Sequence, residues 1–308
     1  MNETSYRESE SRLWNTVGIQ PDEKMVTLET TGTKVRVQMI GDGPPVLFIH
    51  GGPNSGSTWA PVVKAFDDYT CLLVDRPGTG LSEPLDAIPD PTAFITLAEQ
   101  FIADTLDGLH IESSHIVASS LGGHIALRSV AAAPERVGRM VQMACPALVQ
   151  GMLTPQFMRM MSKGWFRKFL GMLPPSSRAN DSIMRQIGHG KSLDAGRIPQ
   201  EFMDWYLDLQ RFTNTMENDG NLIGAFSSGG TWNDRLTLSD ELLSSVIVPT
   251  LFLWGEDDGF GGGDVADALV GAMPNAELEM IAEAGHLPWL DFPADIGART
   301  RAFLDEGA

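Results

Sequence analysis

The chain has 308 residues, 43% of them hydrophobic, and a mean hydropathy of -0.07, enough apolar side chain for a sizeable core. A formal net charge of -18 and a pI near 4.6 count against a nucleic-acid partner, because phosphate binding needs a basic footprint. Residues 1–24 are polar and carry no apolar signal core, and no apolar run reaches the ~18 residues of a spanning helix. A cytoplasmic protein without stable membrane association is expected. The two cysteines, Cys71 and Cys145, lie in apolar stretches outside any CxxC pattern, so they read as buried inert thiols, and no metal or organic cofactor is expected.

Short apolar runs alternate with helical patterns along most of the chain, as in a mostly parallel sheet with helices on its faces. Strands are predicted at Met25–Glu29, Lys34–Ile40, Pro45–His50, Cys71–Asp75, His115–Ser119, Arg139–Met143, Pro249–Trp254 and Glu277–Ile281. Helices are predicted over 58–66, 92–108, 121–133, 264–272 and 293–304. The fold class is therefore α/β, a doubly wound, mostly parallel eight-stranded sheet. From about Ala144 to Ser245 the pattern turns helical, punctuated by Pro155, Pro174, Pro175 and Pro199. A hundred residues are too many for a loop, so this stretch reads as an inserted helical cap. The core is then split into residues 1–143 and 246–308, with the cap at 144–245.

Four segments carry chemistry. Val117-Ala118-Ser119-Ser120-Leu121-Gly122-Gly123 follows a buried strand and opens a helix. A serine at such a turn projects its Oγ outward, although serine also caps helices, and Ala118 stands where Gly is usual. Phe48-Ile49-His50-Gly51-Gly52-Pro53 ends an earlier strand in a glycine turn whose amides can face a developing oxyanion. The N–H groups of Gly52 and Leu121 are the natural pair, while His50 reads as structural. After the strand ending at Trp254, the acidic turn Glu256-Asp257-Asp258 offers three carboxylates. Ala284-Gly285-His286-Leu287-Pro288 follows the last strand and presents a candidate base. Of the other histidines, His110 and His115 border a strand, His124 lies in a helix, and His189 lies in the cap between two glycines.

Serine, then acid, then histidine, each on the loop after its own strand, resembles the chain order of α/β-hydrolases. From about residue 24 to 305 the sequence resembles a capped member of that superfamily, of the serine esterase type. Asp75-Arg76-Pro77-Gly78-Thr79-Gly80-Leu81-Ser82 is similar to the family's Asp-x-x-Gly-x-Gly-x-Ser loop, and its Gly-x-x-Asp turn maps onto Gly255–Asp258. The resemblance implies a triad of Ser120, Asp258 and His286, an oxyanion hole at Gly52 and Leu121, and hydrolysis of small to medium apolar carboxylic esters through an acyl-enzyme. Serine at the elbow disfavours the Asp-based dehalogenases and epoxide hydrolases. Asn54 and Leu121 depart from the proline iminopeptidase pattern. A carbon–carbon bond hydrolase on the same triad, or a ligand receptor with little turnover, stands as the alternative.

Between Glu135 and Asp181 there is no acidic residue, yet Arg136, Arg139, Arg159, Lys163, Arg167, Lys168 and Arg178 fall there. The same stretch carries Phe157, Met158, Met160, Met161, Trp165, Phe166, Phe169, Leu170, Met172 and Leu173 over Gln156–Leu173. Such a segment suits the cover of a hydrophobic pocket. Its basic residues raise the expectation of anionic half-esters as preferred substrates.

Overall fold

A computed structural model describes residues 1–166, 174–228 and 231–306. Strands β1 (Asp22–Thr27), β2 (Lys34–Ile40), β3 (Pro45–Ile49), β4 (Thr70–Val74), β5 (Ser114–Ser119) and β6 (Val137–Met143) precede a two-stranded hairpin of β7 (Ser227–Ser228) and β8 (Thr231–Trp232). Strands β9 (Thr250–Gly255) and β10 (Ala276–Ile281) complete the main sheet, in the order β1-β2-β4-β3-β5-β6-β9-β10. Strand β2 runs antiparallel to β1 and β4, and every other neighbour pair is parallel. Strands β3, β4 and β9 are almost wholly buried, which is why they read as unbroken apolar runs rather than alternating ones. The fold class is as expected from the sequence, with helices flanking the sheet.

Three local expectations need correction. The helix expected over 58–66 is instead two short 3-10 turns, Gly56–Trp59 and Val63–Phe66, separated around Pro61, which cannot donate to a continuing helix. The first strand starts at Asp22 rather than Met25, because its register against β2 pairs Asp22 with Met39. The sequence reading assigns no element to residues 1–24, yet Glu3–Val17 is a helix, started by the Asn2 side chain on Ser5 N and stopped at left-handed Gly18. Its buried face holds Tyr6, Glu10, Leu13 and Trp14, a 3.6-residue spacing with a carboxylate inside it.

That carboxylate has a partner. Arg36 on β2 is 1% exposed and binds both oxygens of Glu10 at 2.7 and 2.8 Å, and Asp75 Oδ2 at 2.8 Å. Ser57 Oγ and Tyr6 Oη also donate to Glu10. Burial pushes the Glu10 carboxyl up, but Arg36 with these two hydroxyls outweighs it and holds the group below its ordinary value. Asp75 in turn accepts from the amides of Gly56 and Leu81, so one guanidinium ties the N-terminal helix to the Asp75–Ser82 loop.

Between β6 and β9 the insert contributes no strand to the eight-stranded sheet. Its described helices are Gln156–Met161, Ser177–Gln186, Gly190–Asp194, Gln200–Phe212, Thr215–Phe226 and Asp240–Ser245. The N-terminal helix packs on Gln200–Phe212, and Asp240–Ser245 packs on the helix Leu121–Ala132. Among the described residues no helix is long and apolar enough to cross a membrane.

Replacing Arg36 by Met leaves Glu10 and Asp75 buried without a counter-charge. Urea unfolding of Arg36→Met is expected to show a loss of about 3–5 kcal/mol. A change under 1 kcal/mol would mean that the cluster is not what holds the N-terminal helix.

Candidate active site

Because β3, β5, β9 and β10 all run the same way, their following loops meet at one sheet edge, where open α/β sheets place ligands. Those loops carry Gly51-Gly52, Ser120, Asp258 and His286. The residues singled out in the sequence are thus brought together by topology alone.

Ser120 stands between the end of β5 and the helix Leu121–Ala132, with φ 54° and ψ -118°. A non-glycine residue there carries strain on the order of 1–3 kcal/mol, sustained only by its surroundings. Its carbonyl accepts from His124 N and Ala147 N at 3.0 and 2.9 Å, which fixes the turn from both sides. The side chain caps nothing, so the helix-cap alternative fails for Ser120. A Cβ on Gly51 would come within 2.7 Å of Ser120 Cβ, so the oxyanion-type turn can approach the serine only as glycine. Ala118 stands inside β5, fully buried and paired with Ile49 and Gln142, so its methyl group is absorbed in the sheet.

Of the three candidate carboxylates, one meets His286. Asp258 is buried and its carboxylate accepts from Phe260 N at 2.9 Å, from Cys145 N at 3.0 Å, and from His286 Nδ1 at 2.9 and 3.0 Å. Asp257 instead pairs with Lys191 at 2.7 Å near the surface, and Glu256 is exposed. With Nδ1 against a carboxylate, the ring proton belongs there and Nε2 is left as the base. Phe260 packs on the imidazole at 4.3 Å between ring centroids. Ser120 and His286 share the cavity wall.

Burial also acts on other titratable groups nearby. Burial, aided by Arg76, pushes the His50 imidazole well below its ordinary value, and burial together with Arg128 lowers His124 to about 3. Both thiols are free and buried, and burial raises Cys71 to about 12 and Cys145 as well, the latter helped by Asp258. Neither thiol is a nucleophile near neutral pH.

A cavity of about 270 Å³ opens over Ser120, His286, Gly52 and Leu121. Its wall on the insert side is mostly aliphatic, aromatic and Met side chains, including Phe157, Met158, Met160, Met161 and Phe166, with Gln210 and Asp219 as polar members. Trp165 points outward at 69% exposure, and Phe169, Leu170, Met172 and Leu173 lie outside the described residues. The expected basic wall is not found among the described residues. Arg136 pairs with Asp107, Arg139 pairs with Glu306, and Arg159, Lys163 and Arg178 are exposed. Arg167 and Lys168 lie outside the described residues.

One pair was not visible in the sequence. Arg76 donates to the carbonyls of His50 and Gly51 at 3.0 and 3.1 Å and to Asp219 of the insert at 2.8 Å, with both partners buried. Asp219 lies so close that a Cβ on Gly52 would meet its Oδ2 at 2.6 Å. Insert and core thus share a buried ion pair directly under the glycine turn. The 143 residues that separate the partners hide it from any sequence pattern.

Residues 44–293 match the family model described as the alpha/beta hydrolase fold. The chain belongs to the α/β-hydrolase family. A protein of Burkholderia vietnamiensis named 2-hydroxy-6-oxononadienedioate/2-hydroxy-6-oxononatrienedioate hydrolase is 31% identical over 272 residues, covering 85% of this chain and 88% of that protein. A carboxylesterase of Bacillus subtilis superposes with a TM-score of 0.75 at 20% identity, covering 99% of each chain. A 2-hydroxy-6-oxo-6-phenylhexa-2,4-dienoate hydrolase of Rhodococcus sp. strain RHA1 gives a TM-score of 0.73 at 19% identity, over 93% of this chain and 99% of that one.

If this site is the reacting one, a serine-directed fluorophosphonate attaches to Ser120 and to neither Ser119 nor Ser82, as peptide mass spectrometry will report. Asp258→Asn is expected to lower turnover about 10⁴-fold. Asp257→Asn is expected to stay near the parent rate, and the reverse pattern would assign the acid to Asp257.

Proposed function

We propose that the chain is a serine hydrolase that attacks the carbonyl carbon of an uncharged, apolar carboxylic ester. His286 Nε2 takes the Ser120 proton as Oγ adds to the carbonyl, and Asp258 stabilises the imidazolium so formed. The amides of Gly52 and Leu121 receive the oxyanion; Leu121 opens its helix, where N–H groups have no intrahelical acceptor. The imidazolium protonates the departing alkoxide, the alcohol leaves, and water repeats the cycle on the acyl-enzyme to release the acid. The insert acts as the cap that shuts this pocket.

The observation that carries the ester reading is the wall. Met, Leu, Ile and Phe side chains surround the serine on the insert side, and an alkyl or aryl chain gains most by leaving water there. Methionines also let the pocket fit chains of differing shape.

Cleavage of a carbon–carbon bond is the second reading, and the sequence relatives favour it. An oxo-dienedioate has no ester group, so a hydrolase named for it acts at the bond beside the ketone, and the same serine and base serve that carbonyl. Such substrates carry carboxylates, which need cationic partners to leave water. The basic residues described between Glu135 and Asp181 are exposed or paired elsewhere, and on that ground we rank this reading second.

Two substrate sets separate the readings. Nitrophenyl esters of two to twelve acyl carbons are expected to be hydrolysed with kcat/KM rising by about threefold to fourfold per buried methylene until the cavity is full. A 2-hydroxy-6-oxo-dienoate, whose yellow colour fades on cleavage, is expected to be turned over far more slowly. Faster turnover of the dienoate would establish the carbon–carbon reading, and labelling of Ser120 with turnover of neither set would make the chain a receptor.

A further inference from the structure

The loop that carries His286 is gripped at three successive amides. Gly285 N donates to Asp291 Oδ2 at 2.8 Å, His286 N to the carbonyl of Ile187 at 2.9 Å, and Leu287 N to His189 Nε2 at 3.1 Å. Two of the three acceptors, Ile187 and His189, belong to the insert. His189 and Asp291 are themselves joined, Nδ1 to Oδ1 at 2.9 Å, and both side chains are wholly buried. The result is a second His–Asp pair beside the first, 102 residues apart in sequence.

We propose that His189 is a positioning residue for His286, transmitting the docking of the insert to the loop that carries the base. The inference rests on the serine-hydrolase reading and goes beyond it, because it makes the insert part of the machinery as well as its cover.

The hydrogen-bond roles leave His189 one arrangement. Leu287 N–H is an obligate donor, so Nε2 must be bare and accept; Nδ1 then carries the proton and gives it to Asp291. The second oxygen of Asp291 takes Gly285 N–H. One neutral imidazole and one carboxylate therefore hold both shoulders of His286, while Asp258 holds its ring. A bare point of contact would not need the backbones to approach as they do. A Cβ on Gly285 would lie 2.6 Å from Gly188 C and 2.9 Å from His189 Nδ1, and one on Gly188, at φ +100°, would lie 2.0 Å from the carbonyl of Asp257. The insert's Gly188-His189 turn is thus wedged between the acid turn and the histidine loop, and fits only because glycine stands on both sides. Movement of this edge by an ångström displaces Nε2 from Ser120, and misplacement of that size costs about 100-fold in rate.

Fluorophosphonate labelling of Ser120 tests this without knowledge of the substrate. His189→Leu, which fills the space without either hydrogen bond, is expected to slow labelling about 100-fold and, with an ester that is turned over, to lower kcat with KM little changed. His189→Gln offers an amide oxygen to Leu287 N–H and is expected to recover most of the rate. If leucine prevents folding, Asp291→Ala serves instead, since it removes the acceptor that fixes the His189 ring, and labelling is expected to slow in it too. Labelling at the parent rate in a cooperatively folding His189→Leu or Asp291→Ala chain overturns the proposal, as does a glutamine variant no faster than leucine. Absence of labelling in the unaltered chain strikes the serine-hydrolase reading itself.

Discussion

The backbone at Ser120 is held where a residue with a Cβ does not settle by itself, and much of the molecule is arranged to keep it there. The strand before it is buried between β3 and β6, the helix after it is packed against Pro91–Leu109, and its carbonyl is taken by two amides, one of them from Ala147 at the start of the insert. Gly51 must come close enough to touch the serine side chain, and Arg76 ties the carbonyls of His50 and Gly51 to Asp219 beneath it. Strain of a few kcal/mol at one turn is stable only when such surroundings over-determine it.

Insert and core are joined just as closely at this edge. Among the described residues, contacts that cross between them at the reacting edge include Ala147 to Ser120, Cys145 to Asp258, Asp219 to Arg76, and the Ile187–His189 turn to the His286 loop. Each is backbone-directed or buried and charged, so each tolerates little displacement. The apolar lining of the cavity comes in part from Gln156–Met161, whose side chains are only partly buried or exposed, and in part from the buried Met184, Ile187 and Phe226. Cys145, Ala147, Ile187 and Asp219 line the same cavity, so one insert supplies both its apolar lining and the contacts to the core loops.

Much of this was legible from residues in order. Alternating apolar and helical periods gave the sheet, and the three loops after β5, β9 and β10 marked the candidate serine, acid and base, because short-range patterns record strand ends and tight turns. Asp258 was separated from Asp257 only by resemblance, and the structure supplies the physical reason in three donors converging on one carboxylate. What stayed hidden is long-range and polar. His189 with Asp291, Arg76 with Asp219, and Glu10 with Arg36 are pairs whose members carry no local signature, and a carboxylate on the inner face of the N-terminal helix weakened the very periodicity that would have revealed that helix. The basic residues between Glu135 and Asp181 misled for the opposite reason, since those described are neighbours in sequence yet are exposed or paired away from the cavity.

The central claim is that core loops and docked insert form one prearranged site around Ser120. A crystal structure of the Ser120 phosphonate adduct tests it most directly, since the phosphoryl oxygen occupies the position of the oxyanion. The account predicts that oxygen within about 2.7–3.1 Å of the amides of both Gly52 and Leu121, with Gly188-His189 still seated against Gly285 and Leu287. A phosphoryl oxygen turned away from those amides, or an adduct formed with the 186–189 turn lifted off the His286 loop, would contradict it.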